Sequence, residues 1–311
     1  MADYTNLDLA DVEKIFDQFS DQPVVSTNPL PGGRANSSFL IGTHEGSFVL
    51  TVCNAKEKTE VESSVLLMEQ LQKEGLCTPR TYRTLQGQPT ASYLGQPVTL
   101  KRFEPGDVRR DLGPGHLRQI GKTLAKLHTL TPWVELADEF SYGLQTFPEV
   151  VGWSGSGDFG RWLEAKYQSL GELKKQNFPR GLIHGDLFWD NVVVNGDSLT
   201  LIDFEEACHY SLGFDLGMSI VGCCFCADGL WTRLVGALLE GYQEIRPLQS
   251  AERENLQSFA VYGATATACW RFWQYNINLP ESAERFAYRE MQDLADRIES
   301  IEGREFQSTI P

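Results

Sequence analysis

Two short apolar runs joined by Asn195-Gly196-Asp197 constrain this chain more than any other feature. The first, Val192-Val193-Val194, is β-branched, and the second, Leu199-Thr200-Leu201-Ile202-Asp203-Phe204, is an apolar strand ending in a carboxylate. Asn-Gly between two such runs is a hairpin signal, because a tight reversal needs residues that tolerate positive φ. Ahead of the hairpin stands Ile183-His184-Gly185-Asp186-Leu187-Phe188-Trp189-Asp190-Asn191. A hairpin here holds Asp186 and Asn191 at one end of the strand pair and returns Asp203 to that same end.

Those three side chains, gathered in one place, suit phosphoryl transfer. One carboxylate orients a hydroxyl and accepts its proton, while hard oxygen ligands hold magnesium against the β- and γ-phosphates of a nucleotide. The spacing Asp186-x-x-x-x-Asn191 equals that between the catalytic-loop Asp and Asn of protein kinases, and Asp203 would fill the role of their other magnesium-binding Asp. Asp186 is therefore the expected catalytic base, with Asn191 and Asp203 as metal ligands and ATP and Mg2+ as cofactors. A single Ile-Asp-Phe is ordinary structure. His184, Asp186, Asn191 and Asp203 together, in order on a hairpin, are harder to explain that way.

The rest of the chain divides by periodicity. Apolar spacing predicts a helix over Asp8–Phe19, strands at Phe39–Ile41 and Ser47–Cys53, a helix over Thr59–Lys73, and strands near Tyr93 and from Pro97 to Phe103. Glu104-Pro105-Gly106 breaks this pattern. After it, helices are expected over Leu117–Leu130, Gly160–Leu173, Leu216–Phe225, Trp231–Tyr242, Ala251–Trp273 and Glu281–Ile301. The expected fold is α+β, with a small β-rich lobe over residues 1–103 and a larger helical lobe over 104–311.

Composition narrows the partners. A net charge of −15 disfavours nucleic acid and anionic membrane surfaces. No run reaches the roughly 18 apolar residues of a membrane span, and no apolar leader opens the chain. Seven cysteines, an odd count, suggest free thiols in a reducing cytoplasm. Cys223 and Cys226 have Cys-x-x-Cys spacing but no second pair to complete a metal site, so they read as small buried hydrophobes.

The chain resembles the aminoglycoside phosphotransferase/choline kinase superfamily, within it the bacterial homoserine kinases. The resemblance rests on His184–Asn191, on Ile202-Asp203-Phe204-Glu205-Glu206-Ala207-Cys208, on Phe214-Asp215-Leu216, and on Gly121-Lys122-Thr123-Leu124-Ala125-Lys126-Leu127-His128. Asn36-Ser37-Ser38 with Phe48–Val52, and Gly241–Arg246 with Arg271-Phe272-Trp273, fit the same group. It implies a two-lobed protein-kinase-like fold and an ATP-dependent phosphotransferase acting on a small-molecule alcohol, homoserine first. Choline, ethanolamine, an amino sugar or an aminoglycoside is the alternative acceptor. The chain departs from the group at Gly185, often Ala there, and at Trp189, which either reshapes the acceptor pocket or packs beside it. Thr51 falls where many kinases of this fold place a phosphate-holding Lys, as it does in the homoserine kinases.

Nucleotide contacts are expected from Gly33, Asn36 and Ser37, whose amides and hydroxyls would close over phosphates, although a plain tight turn explains them equally well. Lys101 and Phe103 would offer backbone groups to the adenine. Arg34, Lys56 or Lys58 could replace the missing cation, with Glu60 or Glu62 as its partner. For the acceptor, Glu206 would meet an ammonium and Arg271 a carboxylate; a structural salt bridge is the competing reading for Arg271. His184, Asp215 and His128 are expected to brace the loop rather than react. A nucleotide-binding pseudokinase with a regulatory role is the alternative class, with Thr51 in its favour and the intact Asp186, Asn191 and Asp203 against it.

Overall fold

The computed structural model describes residues 7–30, 36–54, 56–155, 157–226, 229–230 and 232–311, without the side chains of 225, 226, 229 and 230. Two compact units emerge. One gathers the chain up to Gly106 with Pro132–Glu135 and Thr200–Ile202; the other holds Asp107–Thr131, Leu136–Leu199 and Asp203–Pro311. The expected boundary at 103 thus falls close to the first break, but the first unit also takes in two later pieces.

The first unit is built on α1 (Leu9–Phe16), β1 (Ser26–Pro29), β2 (Ser37–Thr43), β3 (Gly46–Val52), α2 (Lys58–Lys73), β4 (Thr81–Tyr82), β5 (Ala91–Tyr93) and β6 (Gln96–Arg102). Asp8 caps α1 by accepting from the Asp11 amide at 2.8 Å. The sheet runs β1-β2-β3-β6-β4, with β5 also on β6. Alternation along β2 and β3 sends Phe39, Ile41, Phe48 and Leu50 to one face, where Val12, Ile15 and Phe16 of α1 cover them. Phe48 packs edge-on to Phe16 and Tyr82, at 5.6 and 5.3 Å between ring centroids.

The second unit comprises β7 (Asp107–Val108), α3 (Pro114–Thr129), α4 (Phe147–Ser154), α5 (Asp158–Leu170), β8 (Arg180–Ile183), β9 (Val192–Asn195), β10 (Ser198–Leu201, its end shared with the first unit), β11 (Cys208–Ser211), α6 (Leu212–Cys223), α7 (Thr232–Gln243), α8 (Ser250–Phe272) and α9 (Tyr288–Ser300). Every residue of α6 is buried, which explains why it is apolar all round. It begins at Leu212 directly from β11 and stops at Cys223, two residues before the expected end.

Two further expectations need correction. The second run of the hairpin ends as a strand at Leu201, not Phe204, because Asp203 adopts a left-handed backbone with φ 63°. The last long helix starts at Tyr288, not Glu281. Before it lie a π-helical stretch over Trp273–Asn278 and short turns closed by i→i−3 bonds such as Ala287 N to Glu284 O, 2.8 Å. Helical spacing in the sequence does not distinguish such turns from α-helix. The expected helix at Trp231 begins at Thr232, Trp231 itself lying outside the described residues.

Helices α3 and α7 cross at reciprocal glycines. A methyl on Gly121 would run into the Leu238 carbonyl, and one on Gly241 into the Arg118 carbonyl. Overpacking at such a contact typically costs 1–3 kcal/mol. Gly121→Ala should therefore lower the unfolding free energy by about 1–3 kcal/mol, read as a lower urea midpoint at unchanged slope. Gly152→Ala, on a part of α4 with open space around it, is the control and should lose nothing. Equal midpoints for the two variants would contradict this crossing.

Candidate active site

The site begins where β8 ends. Antiparallel pairing sets Ile183 opposite Cys208, so the turn after β8 faces the residues before β11. Gly185 makes that turn with φ 84°, and a Cβ there would sit 2.6 Å from the Glu206 carbonyl oxygen. Both the backbone angle and the missing space require glycine.

Asp215, from the first turn of α6 and wholly buried, accepts the amides of His184 and Gly185, each at 2.8 Å. Burial works against its charge, but hydrogen bonds from His128 and the His184 amide hold its carboxyl below the usual range. His184 is buried too, its ring 4.5 Å from that of Phe204, with Nδ1 accepting the Asp186 amide at 3.3 Å. The sequence reading of these residues as braces matches those contacts.

Asp186 and Asn191 are brought together. Asn191 Nδ2 donates to the Asp186 carbonyl at 2.7 Å and lies 3.4 Å from its carboxylate. A 3-10 turn over Trp189–Asn191 folds the loop back to make this possible. Burial pushes the Asp186 carboxyl up to about 7; the charges of Asp203, Asp190 and Glu206 add to the rise, and Asn191 opposes it. So much negative charge in one place favours a bound cation.

Whether magnesium fits can be judged from the donors. Among the described residues no three His, Cys, Asp or Glu side chains form a closed metal cage. Asn191 and Asp203 would make an open site of one amide and one carboxylate oxygen. That suits Mg2+, which binds few protein ligands and fills its octahedron with phosphate oxygens and water. Asp203 also holds its left-handed backbone without being glycine, a strain that tends to persist where a side chain must be aimed. The residues fit the ion.

The other expected residues are scattered. Gly33, like Arg34, lies outside the described residues. Asn36 and Ser37, both buried, engage Asn54 in the first unit: Asn36 Oδ1 accepts the Asn54 amide at 3.2 Å, and Asn54 Nδ2 donates to Ser37 Oγ at 3.0 Å. Lys101 sits within β6, paired with Val49 and Thr81. The Phe103 amide already donates to Ser47 O at 3.0 Å. At the position of the usual lysine, Thr51 is buried and shares a 3.0 Å hydrogen bond with Ser38. Lys58 pairs with Glu62 one helical turn on at 3.6 Å, and Glu60 caps the start of α2.

Glu206 lies against Gly185, next to Asp186. Arg271 is bound to the Glu290 carboxylate at 2.8 Å and to the Ala287 carbonyl at 3.1 Å, tying α8 to α9. Sequence reasoning missed Tyr142 and Arg110. Tyr142 stacks edge-on to Trp270 at 5.9 Å; burial and then the charge of Glu206 raise its phenol, against a hydrogen bond with Trp270. Arg110 lies 4.9 Å above the ring of Trp189, within the loop itself. Neither residue stands in a motif or a periodic run, so no local signal marked it.

An Asp–Asn pair on a turn before a hairpin, with a second Asp beyond it, in an α+β fold of this topology, defines a protein-kinase-like phosphotransferase. The profile described as the phosphotransferase enzyme family matches residues 26–254, and this chain belongs to that family. Over 298 residues it is 31% identical to a homoserine kinase of Rhizobium johnstonii, covering 91% of each chain. In fold it is similar to a microcompartment-associated aminopropanol kinase (TM-score 0.74, 18% identity, 96% of this chain and 100% of the other). It is also similar to an amicoumacin kinase solved with AMP-PNP and Ca2+ (TM-score 0.77, 12% identity, 96% and 97%). It is an enzyme that phosphorylates a hydroxyl group.

If Asp203 reaches the nucleotide through the metal, Asp203→Asn should weaken nucleotide binding in magnesium by about tenfold or more, and Asp186→Asn should weaken it less. Titrating ATP calorimetrically with and without magnesium checks this. The same metal dependence in both variants and the wild type would make Asp203 structural.

Proposed function

We propose that the chain transfers the γ-phosphate of ATP to the hydroxyl of homoserine, with Asp186 as the base. The observation that carries this is the pairing of Asp186 with Asn191 inside a group of carboxylates, on a chain 31% identical to a homoserine kinase over 91% of its length. Asp186 orients the hydroxyl and takes its proton as the O–P bond forms. Asn191 and Asp203 would hold Mg2+, which neutralises charge on the phosphates as they part. Backbone near Lys101 and Phe103, with Asn36, Ser37 and Gly33, remain the nucleotide contacts of this reading; the Phe103 amide is already engaged by Ser47, and Asn36 and Ser37 by Asn54. Among the described residues six cysteines stand as thiols; a reducing cytoplasm remains the compartment of this reading.

For the acceptor, Glu206 would pair with the ammonium, and the aromatic faces of Tyr142 and Trp270 would flank it. The carboxylate needs a cation, and Arg271 is committed to Glu290. Arg110, exposed and stacked on Trp189 of the reacting loop, is the better candidate. A second reading, an amino alcohol without a carboxylate, is favoured by the engagement of Arg271 and accords with the fold likeness to an aminopropanol kinase.

One measurement tests the base and a second separates the two acceptor readings. Asp186→Ala should reduce transfer by about 10²–10⁴-fold or more while leaving ATP affinity nearly intact; turnover within a few-fold of wild type would remove Asp186 from the chemistry. Arg110→Met should raise the Michaelis constant for homoserine roughly tenfold, the equivalent of about 1.4 kcal/mol, and spare aminopropanol. If the wild type prefers aminopropanol to homoserine, the second reading replaces the first.

A further inference from the structure

A line of buried polar side chains runs away from the reacting loop through four helices. Asp215 Oδ2, which already accepts the His184 amide, lies 3.0 Å from His128 Nε2 at the end of α3. His128 Nδ1 is 2.7 Å from the Tyr242 hydroxyl on α7. Arg246, just after α7, donates Nη1 to that hydroxyl at 2.9 Å and grips Glu252 of α8 with two bonds of 3.0 Å. The side chains of His128, Asp215 and Glu252 are fully buried, and Tyr242 is buried as a whole.

The hydrogens in this line have one consistent arrangement. Arginine has only donors, so the Tyr242 oxygen accepts from Arg246 and its own proton is left for His128 Nδ1. His128 then carries its hydrogen on Nε2 and donates to Asp215. From Arg246 to Asp215 every bond points the same way, and the line ends on the carboxylate that holds the two amides of the turn bearing Asp186. Helices α3 and α7 already meet through Gly121 and Gly241, so this polar bridge is not what joins them. Buried polar groups of this kind are seldom better for stability than well-packed apolar ones, whereas a fully satisfied set defines one orientation.

We propose that Tyr242, held by Arg246, is a positioning residue for the catalytic loop and acts through the brace that His128 and Asp215 already form. By orienting the His128 ring it fixes Asp215, the His184–Gly185 turn and so the direction in which Asp186 is aimed. This rests on the reading of Asp186 as the base, and it assigns turnover, not binding, to a residue remote from substrate.

The test compares Tyr242→Phe, His128→Gln and His128→Phe. At a temperature well below each variant's Tm, Tyr242→Phe should lower kcat about tenfold with both KM values within twofold of wild type. His128→Phe should lower kcat roughly a hundredfold, the scale set by small misplacements of a reacting group. His128→Gln, which keeps an N–H for Asp215, should recover most of that loss. Amide NMR signals of His184 and Gly185, recorded without nucleotide or acceptor, should shift in Tyr242→Phe. That signal does not depend on the acceptor assignment, so a wrong substrate would leave it intact. Unmoved amides, an unchanged kcat, or a rise in both KM values without a change in kcat would overturn the proposal. If His128→Phe does not fold, Tyr242→Phe, which lacks one oxygen atom only, decides the matter.

Discussion

A carboxylate with no exposure to water, Asp215, accepts the backbone amides of His184 and Gly185 at the point where β8 ends and the reacting loop begins. Burying a charge is expensive unless its hydrogen-bonding capacity is filled. Here His128 and the two amides fill it, and the turn can be built in one way only. Gly185 takes the left-handed angle, Glu206 closes against it, and Asp186 emerges beside Asn191. The architecture of the second unit serves this contact. Helix α6 is buried on all sides because it must deliver Asp215 from the interior, and β11 feeds directly into it.

Electrostatics explains why the site tolerates a grouping that would otherwise repel itself. Asp186, Asp203, Asp190 and Glu206 lie near enough that the Asp186 carboxyl is lifted toward neutrality by burial and by its neighbours. Such a site is poised for cations: a metal with its phosphates at one end and an acceptor ammonium at the other would each relieve the repulsion. The overall charge of −15 is consistent with a cationic acceptor but does not require one, since most of the acid residues lie on a solvated surface.

Much of this was legible in the sequence, and the pattern of success follows the range of the interactions. Asp186 and Asn191 lie in one continuous loop, so their meeting depends on a turn whose residues are all in view. The strands around Asn195-Gly196 and the helices with clear apolar spacing, such as α2 and α3, came through for the same reason. Where local preference was ambiguous the reading slipped. Polar turns before α9 share the apolar spacing of a helix, and the apolar run to Phe204 reads as a strand although the Asp203 backbone turns left-handed within it. Arg271 reads in the sequence as either a substrate contact or a structural salt bridge; Glu290 on another helix holds it, and no window around Arg271 contains that partner.

By itself, then, the sequence determined the turn chemistry, the spacing of the reacting groups, the order of strands before helices and membership of the phosphotransferase family, because each is carried by neighbours along the chain. Only the tertiary structure decided which residues surround those groups. Tyr142 comes to Trp270, Arg110 to Trp189, and His128 to both Asp215 and Tyr242, across separations of many tens of residues. Such pairs depend on where two helices cross and how closely they approach, as at Gly121 and Gly241. That geometry is a property of the whole packed unit, and no single stretch of residues encodes it.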